Sequence, residues 1–394
     1  MAIWLGSFLV LGGCVSKLPE PVFVRPAGPE SSFAELVAKN PYGIAPDIDV
    51  LALPDGAKQL LAQTLKRTHT KRLRIQAIGA LFIQGGALGL QYGSLSTGTA
   101  AETFERRTGN CLAYTHLFIA MARQAGLDAR YREVLGLPKW QVSGEFVMLN
   151  HHIAAYGELG KKGTYVADFG FLYAGEQTFG RVVSDERARA QHFNNLGAQE
   201  LVNGDLPAAM RNFARGLTID PKVAYLWTNL GTAYLRDDDP KHAEMALHVA
   251  LRLSPWDVTA LNQLTRLYES AGRTDLASQY RRRSETARRQ NPYLQFSWAI
   301  EARDAGNLDA AVDYLRNAAA TEPEEMYFWL ELAKTYVMEG KHKDAQHTLL
   351  RAQALVVTAE QRTAFSNTVT DIMTISGIAP ETTGAVPETS AQPH

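Results

Sequence analysis

Hydrophobic and polar positions divide the chain into unlike stretches. Ala2–Gly13 (AIWLGSFLVLGG) is continuously apolar but shorter than the ~20 residues a membrane-spanning helix needs. Residues 16–31 hold four prolines and no apolar period, which predicts an extended tether. Within Thr99–Gly170 the pattern predicts a short helix over Ala101–Arg107, a break at Gly109-Asn110, and an apolar amphipathic helix over Cys111–Ala125 stopped by Gly126. Strands are predicted over Ala129–Leu135, Glu145–Tyr156 and Thr164–Phe169, with Gly157–Gly163 as a hairpin-like connection. From Gln191 to Leu355 apolar residues recur at helical 3–4 spacing. The stretch Gly377–His394 has few large apolar side chains and predicts a disordered tail.

The helical half repeats itself. Alanines stand at 209, 243, 277, 311 and 345, each 34 residues apart. Gly204, Gly272, Gly306 and Gly340 keep the same period, with Asp238 filling the gap. Leu196, Leu230, Leu264, Trp298 and Leu332 form a third column, and Pro221, Pro255 and Pro323 close three units. A small Ala suits the closest approach of two helices, and Gly or Asp suits a left-handed turn. These columns resemble the tetratricopeptide repeat. The resemblance implies an all-α solenoid of about five repeats over 190–357 that holds a protein or peptide partner. Repeat three departs from the pattern, with Arg289 in the proline column and Arg281 in an apolar one. The five arginines of Tyr280–Gln290 read as a solvated face, with an acidic-partner site as the alternative.

Composition narrows the classes. The 394 residues carry a net charge of -1, which argues against a broad nucleic-acid binder. Two cysteines are too few for a disulfide scaffold. Cys14 follows Leu11-Gly12-Gly13, and this ending resembles the bacterial lipobox, although no Lys or Arg precedes the apolar stretch. The resemblance implies a signal peptide over 1–13, lipidation of Cys14 and a tether over 14–31. It places the chain in a bacterial cell envelope, facing the periplasm. With Val15 after the cysteine, that family's sorting rule favours the outer membrane. The basic run Lys66–Arg74 (KRTHTKRLR) lacks a Gly-rich loop or aromatic interleaving and reads as a solvated helix face.

Cys111 lies at or just inside a predicted helix N-terminus, where unpaired N–H groups and the helix dipole favour a thiolate. His151 and His152 lie on one following strand and Asp168 on the next. If those strands pair about Gly160, positions 152 and 168 are opposed on one face and can touch. His151 then points to the other face, and a one-residue bulge would exchange the two histidines. The alternative is a small buried Cys111 beside a satisfied His–Asp core pair. Zinc is disfavoured, because the unit has no second thiol and adjacent strand histidines diverge. His116, five residues beyond Cys111, reads as packing or surface.

The runs Arg107-Thr108-Gly109-Asn110-Cys111-Leu112-Ala113-Tyr114 and Ala122-Arg123-Gln124-Ala125-Gly126-Leu127-Asp128-Ala129-Arg130-Tyr131 resemble the transglutaminase-like (papain-like) superfamily. The resemblance implies an α+β domain over 32–185 ahead of the solenoid. It implies a catalytic triad of Cys111, His152 and Asp168, with His151 as the alternative base, and no organic cofactor. Ala154 replaces the bulky aromatic often found two residues after the family histidine. The implied reaction is attack on an amide carbonyl through a thioacyl-enzyme. Hydrolysis of a peptide or protein amide is the first expectation. Amide transfer to an amine, or a non-catalytic scaffold built on the repeats, are the alternatives.

Overall fold

The computed structural model describes residues 37, 40–82, 86–134, 139–143, 146–150, 152–160, 163–168, 171–174, 180–356 and 359–375. Cys14, His151, the signal and tether segments 1–13 and 14–31, and the tail 377–394 lie outside the described residues.

The N-terminal unit opens with helices α1 (Asp55–Leu65) and α2 (Lys71–Phe82) and the two-residue strand β1 (Gln91–Tyr92). Helix α3 (Ala100–Arg106) starts on a capping box. The Glu102 N–H donates to the Thr99 hydroxyl, and the Glu102 carboxylate accepts from the Thr99 N–H. Arg107 ends it in a left-handed conformation, φ 57°, and the chain turns into β2 (Thr108–Gly109), parallel to β1. Helix α4 (Cys111–Gln124) follows, and every residue from Leu112 to Ala122 is buried. Such a helix must be covered on all sides. Leu61 of α1 and Ile78 and Phe82 of α2 share its core with Tyr131, Ile153 and Tyr165 from the sheet.

That sheet is antiparallel. It contains β3 (Arg130–Val134), then β6 (Ile153–Glu158), β7 (Thr164–Asp168), β8 (Phe171–Ala174) and β9 (Gly180–Val183), in the order β8-β7-β6-β3-β9. Between β3 and β6, β4 (Lys139–Ser143) and β5 (Phe146–Asn150) form a separate hairpin. The strand expected over Glu145–Tyr156 is therefore two strands in two sheets. Its partner β3 ends at Val134, whose N–H donates to the His152 carbonyl, 2.9 Å. Phe146–Asn150 pair with β4 instead. The Lys66–Arg74 run is likewise not one helix face. It straddles the α1–α2 connection, and Arg74 reaches across to donate to the Ala125 carbonyl at the end of α4, 2.9 Å.

The second half is a stack of antiparallel helix pairs. These are α5 (Asp185–Asn203) with α6 (Leu206–Ile219), α7 (Ala224–Arg236) with α8 (Pro240–Leu253), and α9 (Val258–Ser270) with α10 (Thr274–Gln290). Then come α11 (Pro292–Asp304) with α12 (Leu308–Thr321), and α13 (Met326–Met338) with α14 (His342–Ala354). The alanine column is sealed between the helices, each alanine no more than 3% exposed. All five turn positions are left-handed, including the non-glycine Asp238 at φ 54°. In repeat three, Arg281 leaves the apolar column for solvent and pairs with Glu269. Among the described residues one helix follows the repeats: α15 (Ala359–Ile375), whose Ile372 packs with Leu332 and Tyr336. It covers the apolar flank that a terminal repeat would otherwise expose.

The two halves are joined by more than the chain. Ser184 caps α5 directly after β9. Glu133 of β3 accepts from Arg181, Arg187 and Gln191, and Arg187 also meets Asp220. Arg123 of α4 makes a two-pronged bond to Asp185, 2.5 and 2.8 Å. Residues 40–45 lie on the solenoid: Asn40 donates to the Met210 carbonyl, 3.0 Å, and Tyr42 to Asp237, 2.7 Å.

The closest crossing in the first repeat is at Gly197. A methyl there would meet the Phe213 ring at 2.5 Å and the Ala209 carbonyl oxygen at 3.0 Å. Alanine would normally gain about 1 kcal/mol in a helix interior. Here the overpacking reverses the sign, and Gly197→Ala should cost about 1–3 kcal/mol in urea unfolding. Unchanged or increased stability would mean that the crossing opens freely.

Candidate active site

Cys111 is the first residue of α4. Asn110 caps the helix in extended conformation (φ -86°, ψ -178°), its side-chain oxygen accepting from the Ala113 N–H, 3.0 Å. The N–H groups of Cys111 and Leu112, in the first turn, therefore have no acceptor within the helix. The cap itself is held from behind. The Asn110 amide donates to the Thr97 hydroxyl, 2.7 Å, and its N–H to the Ser96 carbonyl, 2.9 Å. Cys111 is partly exposed, not sealed in the core.

The sheet supplies the other two groups. β6 and β7 pair from Ala155↔Ala167 to Glu158↔Thr164, so their hairpin is centred on residue 161 instead of Gly160. The strands run on further than expected. The loop closes by a bond from the Leu159 N–H to the Gly163 carbonyl, with Gly160 and Gly163 left-handed. Moving the centre by one residue moves each pairing by two. Asp168 thus stands diagonal to His152 instead of opposite, and the face is the same. The side chains meet: His152 Nε2 lies 2.6 Å from Asp168 Oδ2. The Cys111 side chain acts on the same ring and favours its protonated form.

The electrostatics follow from these contacts. Burial opposes a charged His152, but hydrogen bonds to Asp168 and then to Cys111, with the charges of both, push it up to about 10. The His152 side chain is still 41% exposed, while Asp168 is 19% exposed. The imidazole thus has a solvent-accessible side and a carboxylate that fixes its orientation. Such an arrangement can hold a proton beside a sulfur nucleophile and deliver it to a leaving group.

Two neighbours had no signal in the sequence. Thr115, one turn into α4, places its hydroxyl 2.8 Å from the Cys111 carbonyl and 3.3 Å from that of Ile153, linking the helix start to the strand that carries His152. Tyr92 of β1 is aligned with Gly109, two residues before the cysteine. Burial, the Cys111 side chain and Asp168 together raise its phenol above its ordinary range. Nothing in LQYGS marks that residue, because its place depends on a two-residue parallel pairing. A cavity of about 120 Å³ lies behind the helix cap, lined in part by Thr97, Glu102, Arg106 and Gln199.

His116 is part of the packing. It is fully buried, its Nδ1 lies 2.6 Å from the Tyr131 hydroxyl, and burial together with His192 lowers it well below 6.5. Among the described residues no three His, Cys, Asp or Glu side chains are grouped to hold a metal.

Residues 59–164 match the family model described as transglutaminase-like superfamily, and residues 302–362 match that of the tetratricopeptide repeat. The first match spans Cys111 and His152 and ends four residues before Asp168. No curated protein matches the chain. Among solved structures, the chain is similar to MamA (residue 41 to the end) from Desulfovibrio magneticus RS-1, at 17% identity and TM-score 0.25, over 44% of this chain and 96% of that one. It is similar to YrrB, a tetratricopeptide-repeat protein with an unusual peptide-binding site, at 17% identity and TM-score 0.24, over 45% and 91%. It is also similar to pilF of Pseudomonas aeruginosa, at 16% identity and TM-score 0.25, over 48% and 89%. The chain thus carries a transglutaminase-like domain followed by a tetratricopeptide-repeat region.

Proposed function

We propose that the N-terminal unit is a cysteine hydrolase of peptide or protein amide bonds and that the repeats bind its protein or peptide partner. The observation that carries this reading is the 2.6 Å bond between His152 and Asp168, with Cys111 at a helix start among the groups that raise the ring. The sulfur attacks the amide carbon and the carbonyl π pair moves onto oxygen, near the Cys111 N–H. As the C–N bond breaks, His152 gives its proton to the departing amine. Water, deprotonated by the now neutral ring, then releases the thioacyl group as a carboxylic acid. The partly exposed His152 favours water as acceptor, since an amine would have to be bound to compete. The ending Leu11-Gly12-Gly13-Cys14 supports anchoring of the chain by lipidated Cys14 in a bacterial envelope, facing the periplasm, with the outer membrane favoured.

Iodoacetamide near neutral pH tests the nucleophile. Cys111 should react far faster than a model thiol, and His152→Ala should reduce that rate at least tenfold. Cys111→Ala should abolish turnover with thermal stability nearly unchanged. A large loss of stability would make the cysteine a packing residue.

The His152 proton has its own signature. Because the folded ring is raised from 6.5 to about 10, its stabilising share is complete below the unfolded value and is lost as pH rises through about 10. NMR titration should show that alkaline midpoint, lowered more by Asp168→Asn than by Cys111→Ala. A midpoint near 6.5 in the intact protein would contradict the contact.

For the anchor, Cys14→Ser should move the protein from the membrane fraction to the soluble fraction and abolish incorporation of labelled palmitate. Labelling that persists in the variant rules out Cys14.

A further inference from the structure

Two histidines outside the active site meet where the two halves of the chain pack together. His116 lies on α4, the helix that Cys111 starts, and His192 lies on α5, the first helix of the solenoid. Their ring centres are 5.3 Å apart and the rings are tilted by 55°. His116 is 0% exposed and His192 is 1% exposed. His116 Nδ1 lies 2.6 Å from the hydroxyl of Tyr131, a buried residue of β3. His116 Nε2 and His192 Nδ1 are buried with no hydrogen-bond partner among the described residues. A neutral imidazole leaves one weak acceptor idle at modest cost. An imidazolium must place two N–H donors and a charge, which a dry site without acceptors resists.

The surroundings do little to offset such a charge. Burial lowers His192 to about 4, although Glu102 of α3 favours its charged form. Burial and His192 together hold His116 well below 6.5. Tyr131 keeps its proton, because burial and the nearby Asp185 and Asp49 raise it. Arg123 and Asp185 are bound to each other, and Arg189, three residues before His192, pairs with Asp47 at 3.7 Å. We propose that His116 and His192 form an acid-sensitive latch between the N-terminal unit and the solenoid, which loosens when either ring takes up a proton. Parted from each other, the rings titrate near 6.5, and packed together they titrate lower. The open state therefore binds more protons between about 4 and 6.5. The latch is at full strength above that window and weakens as pH falls through it. Glu133, at the same junction, is held below 4.5 by Arg187 and Arg181 despite its burial, so it stays charged through most of the window. The latch does not depend on the hydrolase reading, but it acts on the helix that carries Cys111.

A buried thiol reports how often the joint opens. Ala188 lies one turn before His192, is 0% exposed and belongs to the core of the N-terminal unit. In the full chain with Cys14→Ser and Cys111→Ala, Ala188→Cys is labelled with 4,4′-dithiodipyridine, and its rate is divided by that of a model thiol at the same pH. Between about pH 7 and pH 4.5 this ratio should rise about thirtyfold or more, since each ring contributes up to tenfold per pH unit. His192→Phe should cut that rise at least tenfold, and adding His116→Phe should leave it nearly flat. Each variant is compared with itself at the two pH values, so a uniform loss of stability cancels. A ratio that does not change with pH overturns the proposal. So does an equal rise in the double variant, which would assign the effect to carboxylates. A thiol that already labels like the model at pH 7 would show that the joint is not closed, and the latch would fall.

Discussion

The contact between the His152 ring and the Asp168 carboxylate governs what this site can do. A partly buried imidazole would ordinarily shed its proton, since burial disfavours the charged form. Here the 2.6 Å bond to Asp168, backed by the Cys111 side chain, overrides that cost and keeps the ring charged far above neutrality. The carboxylate also orients the ring by holding it at Nε2. Without Asp168 the cysteine would keep its place at a helix start but lose an oriented proton donor.

Each of the three groups is delivered by a different device. Cys111 is set by a helix start whose cap is bound from behind by Thr97 and Ser96. His152 is set by its carbonyl, which accepts from Val134 at the end of β3. Asp168 is set by the register of β7 on β6. The Thr115 hydroxyl, between the carbonyls of Cys111 and Ile153, joins the first device to the second. β3 also carries Glu133, one residue before Val134, whose carboxylate meets Arg187 and Gln191 of the first repeat. The strand that fixes His152 therefore also anchors the solenoid.

The sequence was most legible where one physical requirement recurs. Five small residues at 34-residue intervals marked the helix crossings, and every one of those alanines is buried. Asp238 in the glycine column was readable because aspartate tolerates a left-handed turn, and it adopts one. The helix that starts at Cys111 followed from Gly109-Asn110 and the apolar run behind it. Legibility failed where pairing partners decide. The apolar run Glu145–Tyr156 is strand-like throughout, and nothing in its pattern marks that Phe146–Asn150 pair with β4 while Ile153–Tyr156 pair with β3. The hairpin centre depended on how far the strands run into a glycine-containing connection. Choosing the face for His152 survived that error because a shift of two residues preserves the side of a strand. Tyr92 was invisible for the same reason: a two-residue strand has no period to read. Docking of residues 40–45 on the solenoid likewise rests on single contacts, not on a pattern.

Exposure at the site bears on the choice between water and amine. A thioacyl intermediate partitions according to which nucleophile reaches it. Water needs only access, whereas an amine acceptor must be gathered from solution and held with its lone pair free. An amide-transferring site gains by excluding water around the histidine, because every water admitted is a competitor. His152 instead leaves 41% of its side chain open, and Tyr92 is more exposed still. Ala154, small where the family often has an aromatic, is fully buried and adds no wall at the surface. On the hydrolase reading, a charged imidazole that is partly open to solvent suits release of the acyl group to water.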